Sequence, residues 1–289
     1  MRTQIRNLPS FHIRIRMPSR IKPDDTPSTP LIPDQRRETM LRLLRRDKVL
    51  SLHQLMEALG CSHMTVRRDI ALLESEGLVH SVPGGVRVAS QLASEPSHVS
   101  KALVESDEKR AIAQVAASFL RPGMTAYLDA GTTTLALVPH ILALPDITVV
   151  TNDFPVMQEL MNAGHVAAIH TGGLLDHANQ SSVGELAAAT LRQLAVDVAF
   201  ISASSWDLRR GVTTPSPPKV DVKRTAIDVA EQTVLLATSS KYGTFSTYKI
   251  AGLERFDHIV SDGALPEAAA SGIKAAGLSL KTASSTRPG

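Results

Sequence analysis

The sequence has little cysteine, few aromatic side chains and no long apolar run. Its one cysteine, Cys61, excludes an intramolecular disulfide and a cysteine-rich zinc module, and it suits a reducing cytoplasm, where we expect the protein to act. Aromatic residues make up 3% of the chain, so the core must be built from aliphatic side chains. No apolar run reaches the roughly 18 residues of a membrane span, because the best candidate, Leu135–Leu144, is broken by Pro139 and His140.

Charge is distributed unevenly along the 289 residues, although the formal net charge is only +3. Lysine and arginine outnumber the acids six to three up to Asp34 and nine to six from Gln35 to Ala89. From Ser90 onward the acids lead by nineteen to sixteen. A basic front half is compatible with a polyanionic partner, and the length fits about two domains with packed cores.

Composition and periodicity divide the chain into five segments. Residues 1–34 contain six prolines and no sustained period, and we interpret them as a disordered basic tail. Two alternatives stay open: a transit peptide over the Arg-rich stretch to Lys22, or a true start further downstream, for example at Met17. After this tail we predict a helical domain over 35–89, a polar linker over 90–107, an α/β domain over 108–277 and a C-terminal tail over 278–289.

The helical domain has the pattern of helix, tight turn, helix and hairpin. Ser51 and Gln54 have the spacing of a capping box at the start of its second helix. Ser62 is placed to cap a third helix from His63 to about Ser75, and residues 78–89 have the pattern of a short hairpin. This order is that of a helix-turn-helix followed by a small β wing.

The third helix has two chemically different faces. Val66, Ile70 and Leu73 share one face, and the opposite face carries Met64, Arg67, Arg68 and Ala71. Arginine can bind guanine through two hydrogen bonds or neutralise phosphates, and Ser62 and Thr65 could donate to phosphates near the helix start. The candidate contacts to double-stranded DNA are Ser62, His63, Met64, Thr65, Arg67 and Arg68. The alternative is a three-helix unit whose arginines are only solvated.

From Asp107 onward, helical and strand-like segments alternate, which predicts a mainly parallel sheet covered on both faces. The residues 129–134 (Asp-Ala-Gly-Thr-Thr-Thr) follow one predicted strand and open a helix. Glycine allows a tight bend there, so that amides and hydroxyls at the helix start can face an anion. The alternative is a simple cap of a structural helix.

Other small polar residues follow further predicted strands, at Thr151-Asn152, Thr171-Gly172-Gly173 and Ser202–Ser205. Ligands of open α/β sheets bind at this edge. Lys223 and Lys241 could neutralise a phosphate there, although each could equally be a surface lysine. No catalytic triad spacing, nucleophile elbow or zinc-protease motif is recognisable, and the ten histidines are scattered. We therefore expect no catalytic residue, no metal site and no cofactor.

Together these residues resemble the DeoR family of transcriptional regulators over roughly residues 35–263. The resemblance is carried by the motifs Ala58–Ile70 (with Thr-Val-Arg-Arg-Asp-Ile), Gly84-Gly85, Glu108-Lys109, Asp129–Thr134, Gly211–Pro215, Val222–Arg224 and Ser239–Gly243. It implies a winged helix-turn-helix joined to a domain similar to ribose-5-phosphate isomerase. It also implies a homo-oligomeric repressor, a dimer or tetramer, that regulates carbohydrate metabolism and leaves its operator when a phosphorylated sugar binds. The effector-binding residues implied are Asp129, Gly131, Thr132, Thr133, Thr134, Thr151, Asn152, Gly172, Gly173, Lys223 and Lys241.

The chain departs from the family pattern at several positions. The wing carries His80-Ser81 and Pro83 where basic residues are common, and Ser202–Asp207 replaces Gly-Ala-Asp-Gly-Ile-Asp. After Thr213-Thr214-Pro215, where acidic residues are common, the chain has Ser216-Pro217-Pro218-Lys219, which leaves Asp221. Lys101 stands where an arginine is common. These departures suggest a different effector or a changed affinity. A sugar-phosphate isomerase with an accessory DNA-binding head, and a DNA-binding protein without an effector, are the alternative functions.

Overall fold

The computed structural model describes residues 31–82 and 84–284. The predicted basic tail lies outside the described residues up to residue 30, and so do Pro83 in the wing and the last five residues of the predicted C-terminal tail. The first helix already begins at Pro33, two residues before the predicted domain start. Proline suits this position because the first turn of a helix leaves its N–H groups without intrahelical partners.

The N-terminal head consists of three helices and a small antiparallel sheet. The helices are α1 (Pro33–Asp47), α2 (Leu52–Leu59) and α3 (His63–Ser75), and the sheet has the order β1 (Val49–Leu50), β3 (Gly85–Val88), β2 (Val79–Val82). Aliphatic side chains from all of these helices and from the sheet form one core, with Met40, Leu44, Leu55 and Val66 fully buried. The predicted winged helix-turn-helix is confirmed.

The rest of the chain alternates between strands and helices. Its strands are β4 (Ser90–Gln91), β5 (Thr125–Leu128), β6 (Thr148–Thr151), β7 (Ala167–His170), β8 (Leu174–Asp176), β9 (Ser181–Val183), β10 (Val196–Ser202), β11 (Ser205–Asp207), β12 (Gly211–Thr214), β13 (Ala230–Leu236), β14 (Thr244–Phe245), β15 (Tyr248–Ala251), β16 (His258–Asp262) and β17 (Leu280–Ala283). Its helices are α4 (His98–Ala102), α5 (Ser106–Ala116), α6 (Thr132–Leu135), α7 (Val138–Ile141), α8 (Phe154–Ala163), α9 (Glu185–Leu191), α10 (Pro218–Asp228) and α11 (Glu267–Ala275).

A seven-stranded sheet organises this domain, in the order β17-β16-β13-β10-β5-β6-β7. All six neighbouring pairs are parallel, as predicted from strands separated by helices. One apolar cluster packs α5 against one face of the sheet, and a second packs α9 and α10 against the other. The carboxyl ends of β5, β6 and β10 therefore lie side by side.

Several elements lie where the sequence predicted only linker or tail. Leu280–Ala283 pairs in parallel with β16 as an edge strand, so the predicted tail from 278 onward is wrong over these residues. Within the predicted linker, β4 pairs with β14 and α4 forms a short helix. Such short segments are stabilised by partners distant in the sequence, which periodicity does not reveal. Among the described residues, no helix is both long enough and apolar enough to cross a membrane.

Candidate nucleic-acid interface and sensor pocket

Helix α3 presents its arginine-bearing face outward. Ser62 caps the helix by accepting a hydrogen bond from the Thr65 amide at 3.4 Å. Val66, Ile70 and Leu73 are buried in the head core, while Met64, Arg67, Arg68 and Ala71 are exposed. The side chain of neither arginine makes an ion pair or hydrogen bond with any described residue of the chain. The helix therefore has the geometry of a reading helix whose polar side chains are available to a partner.

Asp69 follows the two arginines but points the opposite way. Its carboxylate is buried and accepts two hydrogen bonds from the Arg36 guanidinium, one of them at 3.1 Å from Nη2 to Oδ1. This bidentate pair joins α1 to α3 and fixes the angle at which α3 is presented. In the Arg-Arg-Asp motif, the two arginines therefore belong to the exposed surface, whereas Asp69 stabilises the packing of α1 against α3.

The wing turns two polar side chains toward the sensor domain. His80 is buried, packs edge-on against the Tyr242 ring at 5.3 Å, and lies against Gly243. Burial lowers the pKa of His80 to about 4, so the ring is neutral near pH 7. Arg87 donates a hydrogen bond to the Tyr242 carbonyl at 2.6 Å. The loop that carries Lys241 therefore contacts the DNA-binding head directly.

The sensor domain has a polar pocket at the carboxyl ends of its central strands. It is lined by Asp129 after β5, Asn152 after β6, Ser202 at the end of β10, and Lys219 and Lys223 from α10. This is the edge at which parallel α/β sheets bind ligands. The structure thus brings together three of the predicted effector residues: Asp129, Asn152 and Lys223.

Asp129, Lys223 and Ser202 form a buried network at the base of the pocket. The Lys223 ammonium contacts the Asp129 carboxylate and donates to the Ser202 carbonyl at 2.9 Å. Asp129 also accepts hydrogen bonds from the Ser202 amide at 2.8 Å and its hydroxyl at 2.7 Å. All three residues are at least nine-tenths buried. Each charge is therefore compensated within the protein, as buried charges require.

The predicted anion-binding turn makes many of its bonds within the protein. The Ala130 amide donates to Asn152 and the Gly131 amide to Asp153, each at 2.9 Å. Thr134 donates its hydroxyl to the backbone carbonyls of Asp129 and Gly131. Thr132, Thr133 and Thr134 are buried, and Thr151 donates its hydroxyl to the Leu128 carbonyl. The two amide bonds and the Thr151 bond join the ends of β5 and β6, whereas the Thr134 bonds close the turn itself. Asp129, Ala130 and Asn152 of this region line the pocket.

Asp153 is a buried acid that the sequence did not single out. Its carboxylate accepts from the Gly131 amide and from the Val156 amide at the start of α8. Burial outweighs these hydrogen bonds and raises the pKa of Asp153 to about 7. Its position directly after the Thr-Asn pair at a strand end was the signal that could have identified it.

The remaining predicted effector residues lie around the pocket rather than in its wall. Lys241 donates to the Ala203 carbonyl at 2.7 Å, and burial, helped by the charge of Lys101, lowers the pKa of Lys241 to about 8. Gly172 and Gly173 form the turn between β7 and β8, and Gly173 packs against Ala187. Their predicted contact with an effector gains no support from this geometry.

Two lysines and one acid at the pocket were missed as site residues. Lys101 and Lys219 each bind the carboxylate of Glu95, at 2.6 Å. Both lysines stand at departures from the family pattern, which was a usable signal. Nothing in the local sequence marks Glu95, because its lysine partners are 6 and 124 positions away. Including Lys223 and Lys241, four ammonium groups gather at this edge of the sheet.

Comparison with known proteins agrees with this division of the chain into a DNA-binding and a ligand-sensing part. Residues 36–92 match the DeoR-like helix-turn-helix domain, and residues 104–263 match the DeoR C-terminal sensor domain. An uncharacterised HTH-type transcriptional regulator of Haemophilus influenzae is 45% identical over 82% of this chain and 92% of its own length. A putative aga operon transcriptional repressor of Escherichia coli O157:H7 is 30% identical over 85% of this chain and 92% of its own length.

The fold and site define a DNA-binding regulator with a ligand-sensing domain. The chain belongs to the DeoR family of transcriptional regulators. A solved structure of ribose 5-phosphate isomerase A from Methanocaldococcus jannaschii is also similar, at 16% identity and a TM-score of 0.36 over 47% of this chain and 54% of that one.

Proposed function

We propose that the protein represses genes of carbohydrate metabolism and leaves its operator when a phosphorylated sugar or a related metabolite binds the sensor pocket. The observation that carries this proposal is the gathering of Lys101, Lys219, Lys223 and Lys241 at the ligand-binding edge of the sheet. Buried like charges repel each other, so such a cluster is stable only with anionic partners. A phosphate group supplies up to two negative charges and strong acceptor oxygens.

The exposed face of α3 supports operator binding. Arg67 and Arg68 lie on one exposed surface of α3 that also carries Met64 and the short side chain of Ala71. Such a surface allows the helix backbone to approach base edges in the major groove, while Ser62 and Thr65 can donate to the flanking phosphates. His63, also exposed at the helix start, belongs to the same proposed contact set.

An exposed apolar patch at one edge of the sensor domain supports a homo-oligomer. Edge strand β7 and its neighbours leave Phe154, Met161, Ile169, Leu174 and Leu175 exposed by 38% to 67%. Clustered apolar exposure of this kind marks interaction surfaces. A dimer formed there would supply two reading helices for successive major grooves about 34 Å apart. Light scattering coupled to size exclusion measures the mass directly, and Leu174→Glu should lower it.

The geometry does not favour the isomerase alternative. A catalytic base has to reach a substrate carbon, but the carboxylate of Asp129 is already bound to Lys223 and Ser202. Its relatives in Haemophilus influenzae and Escherichia coli are named as a transcriptional regulator and a transcriptional repressor. Turnover of pentose or hexose phosphates that disappears in Asp129→Asn would revive the enzymatic alternative.

The direct test mixes the purified full chain with labelled DNA from upstream of its own gene. We expect a defined complex by fluorescence anisotropy, and we expect one phosphorylated sugar from a panel to dissociate it. The matching sugars without phosphate serve as controls and should leave the complex intact. A complex that no phosphorylated compound weakens would support the alternative of a DNA-binding protein without an effector.

A further inference from the structure

The segment that joins the head to the sensor domain crosses the sensor pocket. On one side β4 pairs with β14, and the Leu92 amide donates to the Phe245 carbonyl at 2.7 Å. On the other side the His98 amide donates to the Ala178 carbonyl, also at 2.7 Å. Residues 93–97 therefore form a strap, tethered at both ends, and Glu95 lies at its centre.

The Glu95 side chain enters the pocket as an anion. Its Oε1 lies 2.6 Å from the Lys101 ammonium, and its Oε2 lies 2.6 Å from the Lys219 ammonium and 3.4 Å from Asn179 Nδ2. Burial alone would raise the pKa of Glu95, but the charges of Lys219 and Lys101 outweigh it and hold this pKa well below its usual range. Asp176, 3.8 Å from Lys219, adds a second carboxylate nearby.

With Glu95 in place, the pocket cannot hold a metabolite. The space left among its lining residues has a volume of about 10 Å³, which is roughly that of one water molecule. A sugar phosphate is many times larger. Ligand entry into this pocket therefore requires the strap to move and the Glu95 carboxylate to leave the two lysines.

We propose that Glu95 is a built-in competitor that occupies an anion subsite on Lys101 and Lys219, and that the phosphate group of the effector replaces it there. The proposal rests on the proposed function, namely that this pocket senses an anionic metabolite. A phosphate dianion matches the two ammonium groups better in charge than one carboxylate does. The subsite selects for a phosphorylated ligand, because a neutral sugar in place of Glu95 would leave Lys101 without a carboxylate partner and Lys219 with only Asp176 at 3.8 Å.

Displacement of Glu95 also provides a physical route to the DNA-binding head. Glu95 follows the end of wing strand β3 by seven residues, and the intervening Ala89 amide donates to the Leu78 carbonyl of the head. Releasing the strap removes one constraint on the orientation of the wing and α3. A ligand that binds only the strap-released state shifts the population toward that state, as allosteric coupling requires.

The test measures the binding of inorganic phosphate to the full chain by isothermal titration, in buffer free of other multivalent anions. Glu95→Gln removes the competing charge, and Glu95→Ala also opens space. If the strap is released in about a tenth of wild-type molecules, both variants should bind phosphate about tenfold more tightly. Asp107→Asn removes an exposed carboxylate paired with Arg110 and should leave the affinity unchanged.

Hydrogen exchange on the wild-type chain gives a second readout that needs no variant. Phosphate should speed exchange at the Leu92 amide and across residues 93–98. Equal phosphate affinity in wild type and Glu95→Gln, or slower exchange of the strap, would overturn the role of Glu95 while leaving a sensor pocket in place. Absence of phosphate binding in every variant would also overturn it, and the DNA-release experiment with sugar phosphates would then decide separately on the proposed function.

Discussion

The reading helix and the sensor pocket hold their cations in opposite ways. Arg67 and Arg68 project from α3 into solvent, without an ion pair or hydrogen bond to other described residues. In the pocket, Lys101, Lys219 and Lys223 are each bound to a carboxylate of the same chain. The head therefore offers a preformed cationic surface to a polyanion, while the pocket has to exchange an internal anion for an external one. This difference explains how a ligand in the sensor pocket could alter DNA binding without contacting the exposed face of α3.

The largest effect is expected from a change at Asp69, the buried residue that follows Arg67 and Arg68. Asp69→Asn leaves Arg36 without its counter-ion at the join between α1 and α3. We expect the free energy of unfolding of the head to fall by about 3 kcal/mol, with loss of DNA binding as a consequence. Chemical denaturation followed by circular dichroism measures the change. An unchanged unfolding midpoint would contradict the role of Asp69 in stabilising the packing of α1 against α3.

Substitution of the exposed arginines should affect binding but not stability. Arg67→Ala and Arg68→Ala should each weaken operator binding by about 1–3 kcal/mol, and loss of a base contact should also relax sequence specificity. Gel-shift titrations measure both effects. Arg110→Ala, which removes an exposed arginine of the sensor domain, is the control. Wild-type operator affinity in both helix variants would defeat the assignment of α3 as the reading helix.

The contact between wing and sensor domain should depend on pH through His80. Its pKa is about 4 in the folded chain, below its usual value near 6.5, because the ring is buried against Tyr242 and Gly243. The free energy of unfolding keeps its full value above about pH 6.5 and falls as the pH drops toward 4. Between these pH values His80 is protonated in the unfolded state but neutral in the folded state, so the proton favours unfolding. We expect a loss of about 1 to 2 kcal/mol by pH 5.

Thermal unfolding at pH 7.5 and pH 5 measures this loss. The matched variant is His80→Phe, which keeps a ring at the interface but does not titrate. Its unfolding temperature should fall less between the two pH values than that of the wild type. An equal fall in both proteins would assign the pH dependence to other groups.

Lys241→Ala should act on the sensor side only. The charges of Lys101 and Glu95 act on the Lys241 ammonium, but its hydrogen bond goes to the Ala203 carbonyl. We expect about tenfold more effector to be needed for release, with operator affinity unchanged, and we expect no effect from the exposed control Lys249→Ala. A normal effector response in Lys241→Ala would remove this lysine from the site.

Local signals in the sequence were sufficient for the head. Ser62 and the apolar spacing of Val66, Ile70 and Leu73 predicted the bounds of α3 and its two faces, since caps and helical period are properties of neighbouring residues. The parallel sheet was also predictable, because its central strands are buried on both faces and read as apolar runs. Edge strand β17 was not predictable, because its pairing with β16 stabilises it and its own sequence has no clear strand pattern.

The pocket was predictable only in part, for the same physical reason. Asp129 and Asn152 could be placed by the rule that strand ends share one edge of the sheet, whereas Lys223 lies on α10 and was implied by the family resemblance. Which groups pair with one another depends on tertiary distances. The Thr134 hydroxyl bonds to carbonyls of its own turn, and the Thr151 hydroxyl joins the end of β6 to the end of β5. Glu95 enters from the linker, where composition alone indicated only a polar connection.

The coupling between the two regions can be measured directly by titrating the releasing metabolite into the protein, alone and bound to its operator. Coupling between two sites is reciprocal, so the factor by which the metabolite weakens DNA binding must equal the factor by which DNA weakens metabolite binding. The account predicts a clearly lower metabolite affinity for the operator-bound protein than for the free protein. Equal affinities in the two states would contradict it.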